Sequence, residues 1–172
     1  MFNSAKRIAA VFLLLCLLPL NVYAATFAVK LVSISKLKAS EYTGDELYFA
    51  VTEFSSHGDS EYMRVPSYPM RWLSSELDHI QDVVLWKGDI LSGEAIQLQL
   101  SLIEMDVSPW NVDDLVGTAK LKIKNENDVI RCDWLKTSNQ TVKYSAFNNI
   151  TRNYHFNRDG AIYSAVLKLE KI

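Results

Sequence analysis

Four acidic side chains, Glu104, Asp106, Asp113 and Asp114, crowd into one short part of the stretch SLIEMDVSPWNVDDLVGTAKLKI (101–123). Carboxylates at that density have several uses. They can ligate a hard cation such as calcium, which takes about six to eight oxygen ligands. They can meet a partner, or they can remain solvated while Asp113 and Asp114 assist chain reversal. Asp59 and Glu61, in GDSEYMRV (58–65), would add oxygens if their loop lay beside the first. Like charges held close raise one another's pKa and loosen a loop, and a bound divalent ion reverses that cost. Catalytic signatures are absent from the chain. His57, His79 and His155 lack metal-ligand spacing, and there is no G-x-S-x-G elbow, phosphate-cradling glycine loop or Cys-His pattern. The expectation is a protein that binds rather than one that catalyses.

The elements that must position these acids repeat with period two. In AIQLQLSL (95–102), Ile96, Leu98, Leu100 and Leu102 point one way while Gln97, Gln99 and Ser101 point the other, the pattern of a half-buried strand. TAKLKIKN (118–125) repeats it, with Lys120, Lys122 and Lys124 outward. Further strands are expected at Phe27 to Ile34, Glu46 to Phe54, Tyr62 to Val65, Val83 to Trp86, Val129 to Leu135, Val142 to Phe147 and Ile162 to Leu169. Turn residues separate them at Thr43-Gly44-Asp45, His57-Gly58-Asp59, Lys87-Gly88-Asp89, Asn125 to Asp128 and Asn157 to Gly160. Only Trp72 to Ile80 suggests a helix, and a short one. Eight or nine short strands with little helix predict an all-β chain, an antiparallel β-sandwich.

The first 24 residues read as an export signal. Lys6 and Arg7 precede an apolar core from Ile8 to Leu20, and Val22-Tyr23-Ala24 offers a small-residue cleavage pattern. The apolar run is shorter than the roughly 20 residues that span a bilayer, so residues 25–172 are expected as one exported domain, periplasmic or secreted. Without Lys6 and Arg7 the 18 basic residues fall to 16 against 20 acidic ones, a net charge near −4. That balance argues against sequence-independent nucleic-acid binding, which needs a basic surface. Cys132 is the one cysteine beyond the leader, so no intrachain disulfide is expected and the thiol reads as a small buried hydrophobe. Asn139-Gln140-Thr141 and Asn149-Ile150-Thr151 fit the glycosylation acceptor pattern, meaningful in a eukaryotic host.

E-x-D at 104–106, a loop, then D-L-V-G at 114–117 leading into a lysine-bearing strand resembles the third calcium loop of C2 domains. Glu104, Asp106 and Asp114 take the ligand places. Upstream, GDSEYMRV is similar to the run after the first calcium loop of that family, with Glu61 at the aspartate position. The resemblance spans roughly Glu46 to Lys124, with glutamate replacing aspartate at 61 and 104, and implies a C2-like sandwich with a calcium site at one end. Trp110, beside Pro109, then either enters a lipid headgroup region or folds back to plug the sandwich end. Lys120, Lys122 and Lys124 either meet anionic lipid or a partner, or protect a strand from edge pairing. Two functions remain open: calcium-dependent attachment to membrane or envelope components through the acidic loops, and a calcium-independent protein-binding sandwich such as an adhesin, inhibitor or envelope-assembly subunit. Either would act as a monomer. Mass spectrometry of the exported protein is expected to return Ala25 as its first residue, and a lipidated Cys16 or a retained Met1 would overturn that reading of the leader.

Overall fold

A computed structural model describes residues 24–39, 44–56, 58–106, 112–126, 129–135, 150–158 and 160–172. Residues 1–23, His57, the Pro109-Trp110 pair, the strand expected at Val142 to Phe147 and both glycosylation asparagines lie outside the described residues. Ten strands are present among the described ones: β1 Ala24–Lys38, β2 Glu46–Phe54, β3 Ser60–Val65, β4 Trp72–Leu73, β5 Gln81–Leu91, β6 Ala95–Glu104, β7 Asp114–Glu126, β8 Val129–Leu135, β9 Thr151–Arg158 and β10 Ala161–Lys171. All their pairings are antiparallel. They form a four-stranded sheet in the order β5-β1-β10-β9 and a larger sheet in the order β3-β2-β6-β7-β8, with β4 added beside β2. The protein is an antiparallel β-sandwich.

Alternation explains the layering. On β6, Ile96, Leu98, Leu100 and Leu102 are buried while Gln97 and Gln99 are only partly covered. Ala119, Leu121 and Ile123 on β7 continue the same inner face, and Phe27, Val29 and Leu31 of β1 with Tyr163, Ala165 and Leu167 of β10 meet them from the opposing sheet. Two glycines permit close ring packing. A Cβ on Gly117 would stand 2.6 Å from Phe156 Cδ1, and one on Gly88 would stand 2.5 Å from Trp86 Cζ2. Trp86 is buried and donates its indole N–H to Glu53 Oε2 at 2.7 Å, which satisfies the polar tip of an otherwise apolar side chain. At the far end, fully buried Asn125 donates its amide to Ile90 O at 2.9 Å and fixes the corner where β5 passes to the other sheet as β6.

Lys87-Gly88-Asp89, expected as a turn, lies inside β5 and pairs with β1, and the structure corrects three further expectations. Trp72 to Ile80 is not a helix: Trp72 and Leu73 pair with β2, and only Leu77–His79 makes a single 3-10 turn. Ser74 N–H donates to Asp45 O at 2.9 Å, so the backbone there is already committed to the sheet. Second, Thr151–Arg158 is a strand that was not expected, with Tyr154 and Phe156 as its buried positions. Third, β7 lies between β6 and β8, so its lysines cover a sheet face rather than guard an edge. They sit opposite Gln99, Gln97 and Ala95 on β6, and Lys124 pairs with Glu126 at 2.5 Å.

Leu98→Ala and Leu100→Ala are each expected to lower stability by about 2 to 5 kcal/mol, whereas Gln99→Ala should change it by less than about 0.5 kcal/mol. Denaturant midpoints of the three variants check the register.

Candidate functional site

An interruption in the edge of the larger sheet creates the site. β3 leaves β2 at Val65 and β4 rejoins it at Trp72, so residues 66–71 bulge out beside the start of β2. On the other side of β2, the chain leaving β6 is held by Met105 N–H donating to Glu46 O at 2.6 Å. Between these two borders lies a cleft of about 490 Å³ lined by Glu46, Arg64, Tyr68, Arg71, Met105, Asp106 and Asp113. Alternation along β2 puts Glu46 and Tyr48 on the outer face, opposite in phase to the buried Leu47, Phe49 and Val51. Arg64 is the ladder partner of Ala50 and shares that outer face.

The carboxylates of the cleft are used unequally. Asp113 accepts from the Tyr48 hydroxyl at 2.8 Å through one oxygen and from Asp106 N–H at 3.1 Å through the other. Burial and then this hydrogen bond hold the Tyr48 hydroxyl above its ordinary pKa. Glu46 pairs with Arg71 at 2.7 Å. Asp106 differs: its Oδ2 is buried and has no hydrogen-bond partner among the described residues. Arg64 is the cationic counterpart. Its guanidinium carbon lies 3.8 Å from the centre of the Tyr48 ring and 5.4 Å from that of Tyr68. One nitrogen, Nη2, donates to Met70 O at 3.2 Å and to Met105 Sδ at 3.3 Å, while buried Nε has no partner among the described residues.

The remaining acids are distributed elsewhere. Glu104 continues the inward phase of Ile96 to Leu102 and is 7% exposed, on the core side of the sheet. There its charge contributes to raising the pKa of Tyr163, after burial and a hydrogen bond from that hydroxyl to Asp45. Asp45 N–H in turn donates to Ser74 Oγ at 2.9 Å, and both side chains are buried. Asp114 is the ladder partner of Glu104 and is exposed. Glu61 is exposed and faces Glu53, six positions along β2 from Leu47, the partner of Glu104. That separation is about 20 Å. Asp59 belongs to the same distant turn, its carbonyl accepting from Ser55 N–H at 3.0 Å. The structure therefore brings Asp106 and Asp113 together, and gathers no three of His, Cys, Asp or Glu as a metal site among the described residues.

Arg64, Arg71, Tyr48 and Tyr68 were not singled out from the sequence. A signal existed in YMRVPSYPMRW (62–72), where two arginines flank a proline- and tyrosine-bearing interruption between extended runs. Cys132, expected as a small buried hydrophobe, is only partly buried, and burial and then the neighbouring Asp133 push its pKa up to about 12.

Both Tyr48 and Tyr163 have raised pKa values, so each supports folding below the ordinary tyrosine value of 10.0 and loses that support as pH climbs through it. Stability is expected to fall above about pH 10, with tyrosinate absorbance from these two rings emerging only on unfolding. Tyr48→Phe should cost about 1 to 3 kcal/mol at neutral pH and flatten the alkaline decline. Urea midpoints across pH check both. Compared with models of protein families and with curated protein sequences, the chain matches none.

Proposed function

We infer that the protein is an exported, non-enzymatic binding module of C2-like build, periplasmic or secreted, that engages a peptide or protein through the Arg64–Asp106 cleft without calcium. One observation carries this reading: of the two arginines and three carboxylates in the cleft, Arg71 pairs with Glu46 and Asp113 is hydrogen-bonded by Tyr48 and the Asp106 N–H, while Arg64 and Asp106 each lack a charged partner among the described residues. Charges half-withdrawn from water are costly unless something pairs with them. A bound partner supplies that pairing. The mixed lining also weighs against a cation-first mechanism, because the arginines repel an ion approaching Asp106 and Asp113. Glu104, on the other side of the sheet, and Glu61, about 20 Å away along β2, would add no ligands.

Calcium-dependent membrane attachment makes the opposite demands. If an ion were held, calcium at a hundredfold excess over Kd would stabilise the fold by about 2.7 kcal/mol, and Asp106→Asn would remove the gain. We expect instead an unmoved melting temperature in parent and mutant at millimolar calcium, and no calcium-driven sedimentation with anionic liposomes. A photo-crosslinking residue at Tyr68, which is 77% exposed, should give an adduct in envelope or culture extracts that survives chelator and disappears in Arg64→Met. A calcium-raised melting temperature together with chelator-sensitive liposome binding would overturn this reading.

A further inference from the structure

We propose that the ligand of the cleft is a small zwitterion, a short peptide or amino acid with both ends free, its carboxylate on Arg64 and its ammonium on Asp106. This rests on the cleft being the binding site and adds the chemistry of what enters it. The other charges lining the cleft are already answered: Arg71 by Glu46 at 2.7 Å, and Asp113 by the Tyr48 hydroxyl and the Asp106 N–H. Arg64 and Asp106 are left, opposite in sign and in the same lining, and they make no ion pair with one another.

The available donors and acceptors sharpen the requirement. A guanidinium offers five N–H groups, and among the described residues those of Arg64 reach only Met70 O and Met105 Sδ, both from Nη2. Nη1 keeps its donors, and a carboxylate, charged and a strong acceptor, answers a guanidinium better than a neutral group would. Asp106 Oδ2 is buried and accepts from nothing among the described residues, so the half-buried carboxylate keeps an unanswered charge and calls for a donor, best a charged one. An anion alone would be drawn to Arg64 and repelled by Asp106. A cation alone would meet the reverse. A ligand carrying both charges satisfies both groups and leaves the net charge of the cleft unchanged. Stacking on Tyr48 holds the guanidinium plane in place before the ligand arrives, while exposed Tyr68 offers an aromatic wall for a side chain. A volume of about 490 Å³ is that of a small-ligand site, inside the range of roughly 300 to 1,000 Å³.

The test is calorimetry of the protein from Ala25 onward with alanyl-phenylalanine, its N-acetyl derivative, its C-terminal amide, and free phenylalanine. The free dipeptide is expected to bind about tenfold or more tightly than either blocked form. Asp106→Asn should erase the preference over the N-acetyl form while keeping the preference over the amide. Arg64→Met should do the reverse, and Arg64→Lys, which retains the charge without the guanidinium, should weaken the dipeptide while preserving the preference over the amide. Comparable binding of phenylalanine would identify the minimal ligand as an amino acid, and its weaker binding would identify a peptide; both support the zwitterion. Equal affinity for free and blocked forms, or no heat from any of them at millimolar concentration, would overturn it. If that happened while the Tyr68 adduct still formed, the cleft would stand as a contact site with its ligand chemistry misassigned. Loss of the adduct as well would remove the cleft itself.

Discussion

The hydrogen bond from the Tyr163 hydroxyl to Asp45 joins the two sheets at the end where the cleft opens. Tyr163 belongs to β10 of the smaller sheet, and Asp45 immediately precedes β2 of the larger one. Both are fully buried, so neither has water as an alternative partner. Much of that end follows from meeting this requirement. Ser74 completes Asp45 through reciprocal bonds, its N–H donating to the Asp45 carbonyl and its hydroxyl oxygen accepting from the Asp45 N–H. Those bonds commit the chain just after β4 to the start of β2. Gly44 is part of the same constraint: its φ is +94°, and a Cβ would stand 2.9 Å from Ser74 Oγ. A side chain there would carry left-handed strain and press on the serine that holds Asp45.

With the inner side of the sheet end occupied by Asp45, Ser74, Tyr163 and Glu104, the outer side is free to differ. The larger sheet therefore partitions its acids. Glu104 remains in phase with the leucines of β6 and is drawn inward, while Asp106, past the end of that strand, lines the outer cleft with Arg64. Two acids separated by one residue thus contribute to different environments. The inner acid lies near the Tyr163–Asp45 join between the sheets, and the outer one lines the cleft with Arg64. A metal site would have needed the pair on one side.

How far the sequence reveals this depends on which force dominates at each position. β2 and β8 occupy the residues expected of them, β2 as a continuous apolar run buried from Leu47 to Val51 and β8 as an alternation of exposed and half-buried positions. β9 escaped because its pattern is Thr-Arg-Asn-Tyr-His-Phe-Asn-Arg: as an edge strand it buries only Tyr154 and Phe156, too few apolar positions to stand out from a loop. Trp72 to Ile80 failed for the opposite reason, since tertiary bonds to β2 and Asp45 overrode a weak local helical pattern. The inward placement of Glu104 was legible. The alternation that starts at Ile96 reaches it without a break, and only the prior association of acids with loops hid it. Arg64 could be placed on a face by its phase, but its neighbours could not, because the cleft joins residues from β2, β3, the 66–71 segment and the turn after β6.

That assembly keeps the proposed binding cleft apart from the core. The ladder on the β3 side of β2 is broken between Val65 and Trp72, so the 66–71 segment is released from sheet geometry and can carry Tyr68 and Arg71 over the outer face. β2 itself stays fully paired on its other side with β6 from Leu47 to Phe54, and its inner residues remain in the core. Change in the bulging segment is therefore decoupled from the packing beneath it. Arg64 is the exception. It sits on the last paired residues of β3 with its guanidinium stacked on Tyr48, so its charge is positioned by the sheet rather than by the segment above. Under the proposed reading, a cation held by the sheet beside a segment outside it would set the charge requirement by the fold and leave side-chain preference to residues 66–71.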